Sequence, residues 1–185
     1  MIVSSLIVQR NSTTSHSISN YLNYFNGWNS VVCDLGIPVT LFLDKSIRIP
    51  DYSNLTVIPT SITELDTFHI MKDATDIKVS DNPRKNTLDY HIINSAKIEF
   101  LERASLMYPG INRFSWVDFG ISHFMQDPSL TCKKLARLNE LPNGIVAPGA
   151  HKLPSGSLDY PDWHFCGSFL SGDRQSILNM SELFR

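Results

Sequence analysis

Short apolar runs alternate with longer segments whose apolar residues recur every three or four positions, and this rhythm is the strongest constraint on what the chain can fold into. The runs are Ser5–Val8, Val39–Leu43, Leu55–Ile58, Phe114–Val117, Gly144–Ala147 and His164–Phe169. Each is rich in the β-branched, aliphatic and aromatic residues that suit a pleated surface. Between the first two, Ile18, Leu22, Phe25 and Trp28 predict an amphipathic helix over Ser19–Ser30. Gly36-Ile37-Pro38 then marks entry to the next strand. Leu88, Ile92, Ile93, Ala96, Phe100, Leu101 and Ala104 predict a long helix from Asn86 to Met107, which Pro109-Gly110 stops. A last helix is expected over Gln175–Phe184. Strands alternating with helices predict an α/β fold with a mostly parallel sheet.

The chain is 185 residues long, 42% apolar and 18% charged. At roughly 150 residues per domain, it reads as a single domain over residues 1–185. Its formal charge is −2 and neither sign forms a block. Duplex nucleic acid is therefore a poor partner, whereas one focused phosphate-binding site needs only a few placed groups. Cys33, Cys132 and Cys166 are the three cysteines, with no CxxC spacing. Neither a disulfide framework nor a zinc knuckle is expected, and a reducing compartment fits. No apolar run reaches the roughly 18 residues a bilayer span needs. The start Met1–Val8 has no basic region before it, so the expectation is a cytoplasmic protein without a transmembrane segment. Residues 60–86 read as a surface loop with at most a short helix. Residues 148–162, rich in Pro and Gly, read as a lid or a connection.

The segment from Arg113 to His123 carries the most chemistry. An apolar strand ends in Asp118, followed by Phe119, Gly120 and, five residues past the Asp, His123. Ligands of open α/β sheets sit outside the carboxyl ends of the strands. A carboxylate there can hold Mg²⁺ or Mn²⁺, and Gly120 lets backbone approach a ligand. The other reading of Asp118 is a cap or turn former. By the same strand-end argument Asp44 is a weaker candidate, and Arg84 in the long loop is weaker again. Asn94 and Lys97, at i and i+3 on the long helix, can border its apolar stripe and reach a phosphate or ribose. Alternatively they belong to a solvated face with Glu99, Glu102 and Arg103.

A third group is Cys166-Gly167-Ser168-Phe169-Leu170-Ser171-Gly172. Small residues before a helix start can present backbone N–H groups to phosphate or sugar oxygens. The spacing is neither G-x-G-x-x-G nor a P-loop, and Ser168 lacks the second Gly of a hydrolase elbow. Cys166 with His164 at i−2 has no flanking motif to support a thiol nucleophile.

In their order along the chain, these segments resemble the HtrL/YibB-type glycosyltransferase family, which has the GT-A nucleotide-diphospho-sugar transferase fold. The likeness rests on the first strand and helix, the Gly-Ile-Pro strand entry, Asn-x-x-Lys at Asn94–Lys97, Phe-x-Trp-Val-Asp-Phe-Gly at Phe114–Gly120 and Cys-Gly-Ser-Phe-x-x-Gly at Cys166–Gly172. It implies a mixed, mostly parallel sheet flanked by helices, without the usual C-terminal acceptor-binding part. The implied activity is transfer of a sugar from a nucleoside diphosphate sugar to a glycan or lipid-linked acceptor. An inactive nucleotide-sugar-binding or assembly protein with the same fold is the alternative, and a homo-oligomer is compatible with either. Asp118 and Lys97 would contact the nucleotide sugar, with Asn94, Gly120 and Asp44 nearby. Gly167, Ser168 and Gly172 would lie beside the sugar or acceptor. A divalent metal, Mn²⁺ or Mg²⁺, would be held by Asp118, with His123 a weaker ligand. Gly120 stands where the usual Asp-x-Asp pair has its second carboxylate.

Overall fold

A computed structural model describes residues 1–9, 17–75, 87–149 and 167–184. It is a mixed α/β structure with a six-stranded, mostly parallel sheet flanked by helices. The strands are β1 (Ile2–Leu6), β2 (Val39–Asp44), β3 (Leu55–Thr60), β4 (Arg113–Val117), β5 (Ile145–Val146) and β6 (Phe169–Asp173). Their order is β3-β2-β1-β4-β6-β5. β1 to β4 are mutually parallel, and β6 runs antiparallel to both β4 and β5.

The strands read as unbroken apolar runs because both faces of the sheet are covered. Val3, Phe42, Phe114 and Trp116 point to one side, into a core shared with Ile92, Phe100, Leu101 and Ile177. Ile2, Val39, Leu41, Leu43 and Val117 point to the other side, against Phe25, Trp28, Val32, Cys132 and Leu135. The helices α3 (Leu88–Ser95), α4 (Lys97–Met107) and α6 (Arg174–Leu183) serve the first core, and α1 (Ile18–Asp34) and α5 (Pro128–Leu135) the second. Ser17 starts α1 by accepting a hydrogen bond from the Asn20 amide at 3.3 Å, the usual N-cap arrangement.

Several boundaries differ from the expectation. β1 begins at Ile2, because Ile2 pairs with Val39 and Leu6 with Leu43, so the expected Ser5–Val8 strand is displaced toward the start of the chain. The last strand begins at Phe169 and not at His164: Gly167 and Ser168 form a turn, and residues 164–166 lie outside the described residues. The long helix is two helices. Ala96, with ψ near −3°, ends α3 and precedes α4, so that α3 packs on α2 (Asp66–Met71) while α4 lies on β1, β4 and α6. Ile18, placed in the apolar stripe of α1, is 45% exposed, whereas Phe25 and Trp28 are fully buried.

The expected loop after β3 contains a 3₁₀ turn at Ile62–Glu64 and then α2. α2 owes its start to a carboxylate from another helix. Glu99 accepts hydrogen bonds from the amides of Asp66 and Thr67, both at 2.9 Å, and from Thr67 Oγ1 at 2.7 Å. Negative charge is favourable at a helix N-terminus, where N–H groups lack partners. Arg103 Nη2 meets the same carboxylate at 2.6 Å. Glu99 and Glu102 are buried, which corrects the reading of this face as solvated.

Candidate functional site

From β1 the sheet grows one way through β2 to β3 and the other way to β4. The order of the parallel strands therefore reverses between β1 and β4, and the carboxyl ends at such a reversal are where open α/β sheets bind ligands. A cleft of about 430 Å³ lies there. Its walls include Tyr21 of α1, Tyr90 and Asn94 of α3, Lys97 at the first turn of α4, and Asp118 and His123 from the segment after β4.

Asp118 is held from three directions. Its amide donates to Ser168 O at 3.0 Å, which ties the segment after β4 to the turn before β6. Trp116 lies two residues earlier, on the same strand face, and donates its indole N–H to Asp118 Oδ1 at 2.6 Å. Lys97 Nζ donates to the same oxygen at 2.9 Å and to Gly167 O at 2.7 Å. The ammonium also sits 5.5 Å from the centroid of the Trp116 ring, within cation–π range. The Lys97 side chain is 16% exposed and that of Asp118 33%, so the pair is partly shielded but open to a ligand. Asp118 Oδ2 carries no hydrogen bond among the described residues.

Gly120 brings the backbone against α1. A Cβ there would lie 3.1 Å from Tyr21 Cε1 and 3.2 Å from Cδ1. The missing side chain thus lets the Tyr21 ring lie along the floor of the cleft. The floor is anchored from below, as Trp28 Nε1 donates to Phe119 O at 3.0 Å and the Phe119 ring stacks on Phe25 at 4.5 Å between centroids. His123 turns Nδ1 to Gly120 O and its ring to Tyr24. Burial, and then the nearby Asp118 carboxylate, push the Tyr21 hydroxyl above its ordinary pKa. The same two causes, in the same order, raise Tyr90. Both phenols keep their protons at neutral pH and can donate hydrogen bonds to an oxygen-rich ligand.

The residues expected to act together are largely brought together. Asp118, Lys97, Asn94, Gly120, His123 and Ser168 all line this cleft, and Gly167 joins them through its carbonyl. Asn94 and Lys97 reach it from separate helices, and Asn94 Nδ2 is spent on Tyr90 O at 2.9 Å. Asp44 does not line it. Its Oδ1 accepts from the amide and hydroxyl of Ser46 at 3.0 and 2.7 Å, and Oδ2 accepts from the Val8 amide at 3.2 Å. Burial pushes the Asp44 carboxyl up, but these hydrogen bonds outweigh it and leave it below the ordinary range. Asp44 thus closes the turn after β2.

Gly172 lies at the far end of the sheet, paired with Phe114. A Cβ there would meet Ile145 Cδ1 at 2.6 Å and Ile177 Cγ1 at 3.0 Å, so packing and not ligand approach explains it. The start of α6 is at that end too, capped by Asp173, which accepts from the Ser176 amide at 3.0 Å. The small residues before α6 therefore do not aim its N–H groups at the cleft. Arg84, His164 and Cys166 lie outside the described residues.

Tyr21, Tyr90 and Trp116 were not among the sequence candidates. The period of two along a strand could have found Trp116 beside Asp118. Nothing local links Tyr21 to Tyr90, which come from helices serving opposite faces of the sheet and share only the lining of the cleft.

The divalent metal implied by the resemblance is poorly served by these side chains. Among the described residues no three His, Cys, Asp or Glu side chains come together. Mg²⁺ and Mn²⁺ want several oxygen ligands, whereas Asp118 Oδ1 is already shared by Lys97 and Trp116. A cation at that carboxylate would also face the Lys97 ammonium. Two unit charges about 4 Å apart repel by about 4 kcal/mol at an effective dielectric constant of about 20, and a dication by about 8. Among the described residues the cleft offers a divalent ion one carboxylate, with one of its oxygens already held by an ammonium and an indole N–H.

No family model and no curated protein matches the chain. Among the described residues, no helix is long and apolar enough to cross a membrane.

Proposed function

We propose that this chain is a GT-A-like domain of the HtrL/YibB type, binding a nucleoside diphosphate sugar in the cleft at the carboxyl ends of β1 and β4. Its reaction is transfer of the sugar to a glycan or lipid-linked acceptor. The observation that carries this reading is the convergence of Asp118, Lys97, Gly120 and Ser168 on one crevice at the switch point of the sheet. A mixed, mostly parallel sheet flanked by helices supports it as the architecture such a domain requires. In the reaction, the bond from the sugar's anomeric carbon to the diphosphate oxygen breaks, and the leaving diphosphate takes the electron pair. The acceptor hydroxyl oxygen bonds to that carbon and gives up its proton to the departing diphosphate. Lys97 supplies positive charge and an N–H toward the diphosphate. Asp118 Oδ2 accepts from a sugar or ribose hydroxyl, while Tyr21 and Tyr90 donate.

A second reading, binding without turnover, is favoured by one observation. Among the described residues Asp118 is the only carboxylate lining the cleft, and it is already paired. Titration calorimetry of a panel of nucleoside diphosphates and their sugars, on the native chain and Asp118→Ala, tests both. Micromolar binding of one nucleotide sugar that Asp118→Ala abolishes supports the site, and absence of binding across the panel sinks it. Loss of the donor's anomeric proton signal by NMR then separates transfer or hydrolysis from silent binding.

A further inference from the structure

We propose that Lys97 is the resident cation of this cleft, so that a nucleoside diphosphate docks beside Asp118 without a divalent metal. The nucleotide as ligand rests on the function proposed above. The pairing of Lys97 with Asp118 does not.

An ammonium group has three N–H donors. In Lys97 one goes to Asp118 Oδ1 and one to Gly167 O, which leaves one for a ligand in the cleft it lines. The side chain is held as well as charged. It is 16% exposed, lies against the Trp116 ring, and cannot swing away without breaking both bonds. Such a fixed cation resembles the lysines that serve as point charges for phosphate in other folds.

Asp118 has the complementary role. It keeps the ammonium oriented while the cleft is empty, and its Oδ2 faces whatever lies beyond the phosphates. Trp116 is the positioning residue for both, since its indole N–H holds Asp118 Oδ1 and its ring face lies under Lys97. A divalent ion chelated by both oxygens of Asp118 would displace Lys97 from the bond that positions it, and one held at Oδ2 alone would have a single carboxylate oxygen beside a fixed ammonium. On this geometry, metal and lysine are alternatives for one place, and the lysine holds it.

Two measurements on the whole chain test this. The first is calorimetry of the tightest-binding nucleoside diphosphate, in EDTA and in Mn²⁺, on the native chain, Lys97→Gln and Lys97→Arg. The expected result is an affinity that agrees within about twofold between the two conditions and falls about tenfold or more in Lys97→Gln. Lys97→Arg, which keeps the charge, should retain more affinity than Lys97→Gln, and near-native circular dichroism of both establishes that they fold. A tenfold gain on adding Mn²⁺, or unchanged affinity in a folded Lys97→Gln, overturns the proposal. The second is titration with Mn²⁺ alone, followed by electron paramagnetic resonance. A saturable Mn²⁺ site that Asp118→Asn removes overturns the proposal whether or not a nucleotide binds. If no nucleotide binds, the proposed ligand fails, and the Mn²⁺ titration alone decides which cation belongs to Asp118.

Discussion

Lys97 Nζ and Asp118 Oδ1 lie 2.9 Å apart, joining the first turn of α4 to the end of β4 across 21 residues of sequence. The pair is partly shielded, so its worth falls between that of an exposed pair and a sealed one. Lys97→Met and Asp118→Asn should each destabilise the fold by about 1–2 kcal/mol. Each leaves the other charge without its partner, so the double variant should cost less than the sum of the two. Urea unfolding of the four proteins checks this, and strict additivity would show that the two side chains do not interact.

Gly120→Ala should separate binding from stability. Its backbone, with φ −90° and ψ 12°, suits any residue, but the new methyl would press on the Tyr21 ring at 3.1 Å. That ring is half-buried and borders the cleft, so it can yield at a cost of about 1 kcal/mol or less. The expected outcome is a near-native melting temperature with ligand affinity reduced several-fold. Calorimetry with the tightest nucleotide of the panel, beside a thermal melt, reads both quantities.

The α/β class was legible because a sheet covered on both faces leaves apolar runs that no surface strand would show. Strand ends were less so. Ile2 and Val3 are buried on opposite faces, yet the run through Leu6, Ile7 and Val8 is equally apolar, and only pairing with β2 decides between them. In the site, Asp118 could be found by its place after a strand, and Lys97 by its spacing from Asn94. The reason for that spacing was not visible, because Ala96 breaks the helix and no local feature of its neighbours marks the break. Asp44 shows the limit of the strand-end argument. It ends a strand as Asp118 does, but Ser46 lies two residues on and takes its carboxylate into a turn.

Asp173 should confer an acid-sensitive increment of stability. Hydrogen bonds from the Gly144 amide, then the Ser176 amide and hydroxyl, with Arg113 nearby, hold its pKa at about 2, against an ordinary 3.8. A carboxylate depressed in the folded state stabilises above its unfolded pKa, and that contribution disappears as pH falls through the folded value. Asp173→Asn should therefore be less stable than the native chain by about 2 kcal/mol at pH 7. The gap should narrow as pH falls from about 4 toward 2. Urea midpoints of both proteins at several pH values test the sign, and a constant gap would exclude the linkage.

Gly172→Ala should weaken the sheet for a steric reason. The added methyl meets Ile145 and Ile177, and the expected cost is about 1–2 kcal/mol. Ile145 lies on the short edge strand β5, and shortening it removes the nearer of the two contacts. Ile145→Val should accordingly cost less in the Gly172→Ala background than in the native one, as read from a thermal or urea double-mutant cycle.

β6 and the turn before it come after all four parallel strands in the sequence, and this sets the order in which the cleft can be completed. Residues up to β4 supply every parallel pairing, but Lys97 finds Gly167 only 70 residues further along the chain, and the Asp118 amide must wait for Ser168. Contacts so distant in sequence are slow to close. In a chain leaving the ribosome, the parallel sheet can assemble while the binding geometry is still open. Refolding should accordingly recover helical circular dichroism before the environment of Trp116 becomes native, as read by fluorescence of a variant whose other two tryptophans, Trp28 and Trp163, are replaced by Phe.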